Sequence, residues 1–442
     1  MLILSLPLVG SQLAAIAMAT TDVIMMGWLG PAQLAAGALG SALYMPILHF
    51  GFGVATAVAP MAAQALGARD YRGVRRSVRQ GFWVATAFGA IFAIPLWQSG
   101  AIFLLLGQKP ELAALAQGYL RAAQWGLIPL LWLIVLRGFL TAHSRPRAVF
   151  VIMVIGIGVN ALGNYALMFG NFGFPRLELV GAGVSTSLVD AFMALALIAF
   201  VLRDRKLRRY GLFVRFWRAD WPRFVEVLRL GAPIGLMVLA ESSLFGAAGI
   251  LMGLIGTAEL AAHAVALQCA AVAFMIPLGI SHAVTARVGL AVGARDRAAV
   301  GRAGWVGLWL GIVCTTISAS TFWFAGEWLV GLYLDIDDVA NAPVVGLAVS
   351  FLLIAALFQL VDGAQAIAAG ALRGLRDTRV PMFLAIFGYW IVGLPTSAAL
   401  AFWLDLGGLG VWIGLAVGLA VVAGLAVWRF HRREYILPVL AG

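Results

Sequence analysis

The stretch LPLVGSQLAAIAMATTDVIMMGWLGPAQLAAGALG, residues 6–40, decides the fold, because it is written a second time as GAPIGLMVLAESSLFGAAGILMGLIGTAELAAHAVALQ, residues 231–268. Pro7 answers Pro233, Gly27 answers Gly253 and Gly30 answers Gly256, each pair 226 residues apart (233 − 7, 253 − 27, 256 − 30). The same offset joins GARD at Gly67 to Asp70 with GARD at Gly293 to Asp296, and a slightly longer one joins Gly183 of VGAGV to Gly410 of GGLGV. Duplication at half the chain length is the mark of a transporter built from internal repeats. The carboxylates break the symmetry: Asp22 falls opposite Ala248, Glu241 opposite Ala15 and Asp362 opposite Leu136. The scaffold is duplicated; the titratable chemistry is not.

A chain of 442 residues with 63% hydrophobic and 11% charged residues and a mean hydropathy of +0.99 is no soluble domain. A membrane span needs roughly 20 apolar residues. Cutting at the charged loops predicts twelve spans, near 5–29, 34–60, 79–104, 112–138, 148–169, 181–202, 229–253, 258–288, 303–325, 342–371, 381–403 and 409–428. The fold class is therefore an all-α polytopic membrane protein. Residues 1–202 form an N-terminal six-helix lobe, 203–228 a basic connector and 229–442 a C-terminal six-helix lobe.

The net charge of +11 is a topology signal. Of the 30 basic residues only Lys109, Arg121 and Arg176 fall on one side, leaving 27 (30 − 3) in the other set of loops and their flanks. By the positive-inside rule that set is cytoplasmic, which places both termini inside a bacterial inner membrane and excludes nucleic acid as the partner. The Arg-rich, Trp-containing connector fits either a plain cytoplasmic link or a segment lying on the membrane surface. Cys269 and Cys314, both in predicted spans, imply no disulfide framework. His49, His263 and His282 lack metal-ligand spacing, and DIDD at Asp335 to Asp338 lacks the other oxygen ligands of a calcium loop. Gly410, Gly414 and Gly418 predict close helix packing within the bundle rather than dimerisation.

Carboxylates inside spans carry the chemistry, since a charge at the bilayer centre costs roughly 2.5–3.5 kcal/mol on insertion scales. Glu241 and Asp362 both lie in the second half, near the middle of their predicted spans. Two carboxylates in one low-dielectric cavity ionise together only with a cation between them, so the pair is a candidate coupling site for Na+ or H+. Asp22 lies toward the outer end of the first span beside Thr20 and Thr21, and Asn160 and Asn164, one turn apart, add an uncharged polar face in the same half. These, with the mid-span Asp190, are candidates for substrate handling and gating. For Asp190 a structural role stands equally beside a functional one, since the nearby hydroxyls of Ser185, Thr186 and Ser187 can satisfy a single carboxylate. Pro7, fifteen residues before Asp22 (22 − 7), is a candidate hinge.

Together, TTDVIMMGWLG, ESSLFGAAGILMGLIGTAELAAHAVALQ, FQLVDGAQAIAAGALRGLRDT and GYWIVGLP resemble the multidrug and toxic compound extrusion (MATE) family, in its NorM-like branch, over nearly the whole chain. The resemblance implies two lobes of six helices related by a pseudo-two-fold axis along the membrane normal, around a cleft that opens alternately to each side. It implies export of amphipathic organic cations such as drugs and dyes, driven by inward Na+ or H+ flow, with no enzymatic activity and no cofactor. Membrane lipids are the other expected partners, and the chain is expected to act as a monomer. Asp22 matches the family's first-helix acid, and Glu241 and Asp362 its second-lobe acids. Phe358 stands where some relatives carry Tyr, and Asn164 where the DinF-like branch carries Asp, which tilts the coupling ion toward sodium. The alternative is a flippase for lipids or lipid-linked precursors. That cargo calls for cationic residues in the spans, which here hold acids and almost no Lys or Arg.

Overall fold

The computed structural model describes residues 1–436, so residues 437–442 of the C-terminal lobe lie outside the described part. Twelve helices are long and apolar enough to cross a membrane, and no strand occurs among the described residues. They are α1 Leu2–Leu29, α2 Pro31–Gly67, α3 Tyr71–Trp97, α4 Pro110–Ala142, α5 Pro146–Phe169, α6 Glu178–Arg203, α7 Trp221–Ile255, α8 Thr257–Gly293, α9 Arg297–Phe324, α10 Ala342–Gly374, α11 Arg379–Phe402 and α12 Gly407–His431. The twelve predicted spans all exist.

Several helices start earlier than the spans predicted from charged loops. Arg72, Arg75, Arg76 and Arg79 are helical residues in the first turns of α3, although the predicted span began at 79. Long Arg stems lie along apolar surface while the heads stay in water, so a charged turn need not be a loop. The duplicated GARD segment supplies the stop and the start. Arg69 and Arg295 adopt positive φ of 57° and 60°, and the next residue closes the preceding helix, Asp70 N to Ala65 O at 2.8 Å and Asp296 N to Ala291 O at 3.0 Å. Each Asp then caps the following helix, accepting from Gly73 N and from Ala299 N, both at 2.8 Å. Ser144 and Arg376 end α4 and α10 in the same left-handed way, with Arg145 N to Leu140 O at 2.8 Å and Asp377 N to Leu372 O at 3.0 Å.

The helices form two compact units, Gly10–Gly235 and a second made of Met1–Val9 with the chain from Leu236 onward. α1 and α7 therefore each run from one unit into the other, and the crossing falls two residues beyond Pro7 and two beyond Pro233. In the first unit α4 is the most enclosed helix, with Leu127, Leu131 and Phe139 buried in the core. The core of the second unit is built around Phe351, Phe358, Tyr389, Trp412 and Leu415. Gly410, Gly414 and Gly418 let α12 touch the backbone of α11, so the glycine stripe packs inside the bundle as expected.

The basic connector is neither a bare link nor a free surface segment. It docks on the first unit: Phe82 of α3 stacks against Phe213 and Phe216 at centroid distances of 5.6 and 6.1 Å, and Leu207 and Leu212 are buried. The Trp83 indole donates to Phe216 O at 2.9 Å, and Arg76 donates to both Asp220 carboxylate oxygens at 2.5 and 3.1 Å.

α11 is the irregular helix. Its central Phe387–Gly393 is a π-helical segment between two α-helical ends. Pro395, which has no N–H, leaves a carbonyl of the preceding turn without its usual donor, and the wide segment absorbs the mismatch.

Candidate functional site

In the first unit the structure brings Asp22, Asn160 and Asn164 together. One Asp22 oxygen accepts from Asn160 Nδ2 at 2.9 Å and from Asn164 Nδ2 at 2.6 Å. The other faces the Thr186 hydroxyl at 3.4 Å. Asn160 and Asn164 stack one turn apart on α5, as the sequence spacing predicted, and Thr186 comes from α6. Asp22 lies seven residues from the end of α1, about 10 Å at 1.5 Å per residue. The two Asn Oδ1 atoms are buried and have no hydrogen-bond partner.

Asp190 is not held by the three nearby hydroxyls. Thr186 serves Asp22 and Ala182 O, and Ser187 donates to Ala122 O at 2.8 Å and Ala123 O at 3.2 Å. Ser185 Oγ has no partner. A hydroxyl has one proton to give, and the competing backbone carbonyls take it. Asp190 instead lies buried against Gly126 of α4, in electrostatic range of Tyr44 and Tyr119.

In the second unit Glu241 and Asp362 lie within electrostatic range of each other, and both within range of Tyr389. Tyr389, on the π-helical segment, donates to Glu241 Oε2 at 3.5 Å, and the neighbouring Trp390 indole donates to Ala240 O at 3.2 Å. Because α7 begins at Trp221, Glu241 lies 20 residues from its start and 14 from its end, about 30 and 21 Å, and so is not central as the shorter predicted span implied. Asp362 is 4% exposed and its Oδ1 has no hydrogen-bond partner. Phe358, one turn before it, stacks on Phe245 and Trp412 instead of offering an oxygen. Arg373 is buried eleven residues further along α10, about 16 Å, and donates to Ser281 Oγ at 2.8 Å. Among the described residues no cluster of three His, Cys, Asp or Glu side chains is suited to a metal ion. Asp335 and Asp338 accept from backbone N–H groups of their own turn.

Thr186, Tyr389 and Arg373, the last within electrostatic range of Glu241, are the site members that sequence reasoning missed. The signal for Tyr389 was Pro395, which marks α11 as irregular six residues later.

The MatE family model matches the chain twice, over residues 7–166 and 233–399, and the matches begin 226 residues apart (233 − 7), at the paired prolines. A probable multidrug resistance protein NorM from Mesorhizobium japonicum is 48% identical over 442 residues, covering 100% of this chain and 95% of that protein. One from Brucella suis is 46% identical over 428 residues, covering 96% and 91%. A crystal structure of MATE in complex with MaL6 superposes with a TM-score of 0.90 at 21% identity, over 99% of this chain and 96% of that one.

Proposed function

From the premise that the chain belongs to the MATE family, we propose that it is a secondary active multidrug efflux transporter. It exports amphipathic organic cations by alternating access, in exchange for inward Na+ or H+. The observation that carries this reading is the pairing of Glu241 and Asp362 inside apolar helices, with Asp362 Oδ1 lacking any hydrogen-bond partner. Arg373 is one fixed positive charge within range of Glu241, so ionising both carboxyls leaves a further negative charge that a mobile cation or proton must neutralise. An inward-moving ion and an outward-moving organic cation therefore compete for the same negative charge, which couples the two flows. Each ligand shifts the access equilibrium by its difference in affinity for the two states. The arginine distribution supports an inner-membrane protein with cytoplasmic termini.

A second reading is favoured by the orphaned Asn160 and Asn164 oxygens. With Asp22 they supply oxygen donors of the kind that hard cations take, and on this reading the ion binds in the first unit and not with Glu241. Proteoliposomes with Na+ and pH gradients imposed separately test both readings. Glu241→Gln or Asp362→Asn abolishes gradient-driven efflux of a cationic dye and removes Na+-dependent thermal stabilisation, whereas Asp22→Asn impairs transport and keeps that stabilisation. Full efflux in both second-unit variants refutes the coupling assignment. Loss of Na+ stabilisation in Asp22→Asn alone moves the ion to the first unit. Transport of lipid-linked diphosphates in place of cationic dyes establishes the flippase alternative.

A further inference from the structure

On its arginine-rich side the second unit carries a groove of about 410 Å³, lined in part by the capping Asp296 but remote in sequence from Asp22, Asp190, Glu241 and Asp362. Arg287 of α8 and Arg302 of α9 line it, with Leu290, Ala303 and Val306 supplying apolar wall. Arg287 is exposed and makes no hydrogen bond or ion pair with the described residues. The carboxylate beside Arg302 is Asp296, 3.9 Å away, and it spends its other oxygen capping Ala299 N. Both guanidinium groups are thus left with donors to spare, in a turn that also exposes Arg295 and Arg297. Val306, Trp309 and Val313 are 51%, 66% and 55% exposed. Their i, i+3, i+7 spacing puts them on one face of α9, so an apolar stripe leads away from the groove along the helix.

We propose that this groove binds an anionic phospholipid, its phosphodiester held by Arg287 and Arg302 and its acyl chain laid along Val306, Trp309 and Val313. Guanidinium forks match phosphate oxygens in geometry and charge. Free phosphate gains from the arginines alone, and a zwitterionic lipid, whose headgroup carries its own cation, gains chiefly from the stripe. Only an anionic lipid uses both. Each arginine near such a headgroup strengthens binding roughly fivefold, and the two together roughly thirtyfold.

The test uses native mass spectrometry of the detergent-purified full chain titrated with phosphatidylglycerol or phosphatidylcholine, so it reads binding without transport. Wild type retains phosphatidylglycerol in preference to phosphatidylcholine. Arg287→Ala/Arg302→Ala weakens the phosphatidylglycerol adduct roughly thirtyfold and leaves phosphatidylcholine unchanged. Arg208→Ala/Arg209→Ala, with the same charge removed from the connector, binds like wild type. If the double variant does not fold, Arg287→Ala decides, because Arg287 has no partner to lose; its expected loss is roughly fivefold. Equal phosphatidylglycerol binding by wild type and the arginine variant that is read overturns the proposal. So does inorganic phosphate competing the lipid off at comparable concentration, which makes the groove a free-anion site.

Discussion

Gly418→Ala puts the packing of α11 and α12 to a quantitative test. An added Cβ at Gly418 stands 2.7 Å from Gly388 O and 2.7 Å from Gly393 Cα, both backbone atoms of α11. Ordinary contact begins at 3.4 Å, so the helices must part by about 0.7 Å (3.4 − 2.7), and no flexible side chain is there to give way. Overpacking of this kind costs about 1–3 kcal/mol. Gly424, six residues along the same helix, has nothing within 4 Å of a built Cβ. Alanine there gains helix propensity, roughly 0.8–1.0 kcal/mol. Equilibrium unfolding of the purified protein in mixed micelles, followed by tryptophan fluorescence, should separate Gly418→Ala from Gly424→Ala by roughly 1–3 kcal/mol, because the propensity gain is common to both. Gly388 and Gly393 also bracket Tyr389, whose bond to Glu241 is already 3.5 Å, so Gly418→Ala should lose cation-dependent stabilisation that Gly424→Ala keeps. Gly418→Ala unfolding together with Gly424→Ala, at or above wild type, refutes the contact and the link to the site.

Tyr389→Phe removes one donor to Glu241 without changing packing volume, and cation-dependent stabilisation should weaken by a few fold, about 1 kcal/mol, with unfolding in the absence of cation unchanged. The Arg76 hydrogen bond holds the Asp220 carboxyl below its ordinary 3.8, so the pair's contribution is present above that pH and is lost as pH falls through the lowered folded value. Asp220→Asn should therefore cost up to about 1 kcal/mol near neutrality and nothing in strong acid, read as the gap between the two unfolding free energies across pH. Arg295→Gly relieves a left-handed backbone residue and should stabilise by about 1 kcal/mol in the same unfolding assay, whereas Ala303→Gly, inside α9, should destabilise.

The twelve spans and the repeat were legible because apolar length and residue identity are one-dimensional, and the family match restarts at the prolines that the sequence aligns. The acids inside spans stood out because a charge in lipid needs a reason to be there. Partners were harder to read. Asp22 was found from its type, and Asn160 and Asn164 from their spacing, but their convergence depends on how α1 and α5 pack. Thr186 was misassigned to Asp190 because sequence proximity hides which way a hydroxyl turns on a helix. Tyr389 faces Glu241 through a π-helical register that a period of 3.6 misplaces. Helix starts at Tyr71 and Trp221 were missed because basic and aromatic turns read as loop, although the structure continues them into the spans.

The membership of the two units bears on how such a chain arose. Met1–Val9, which opens the first repeat, belongs to the compact unit of the second, and Trp221–Gly235, which opens α7 ahead of Leu236, belongs to that of the first. In a half-length ancestor the same arrangement is a reciprocal segment exchange between two identical protomers, the economy of a domain-swapped homodimer. Fusing two such copies makes the exchange intramolecular and leaves each copy free to diverge. Asp22 now aligns with Ala248 in the repeat, and Glu241 with Ala15. A split gene cut within the connector should accordingly yield halves that are incomplete apart and complementary together, each lacking the leading helical segment that the other carries.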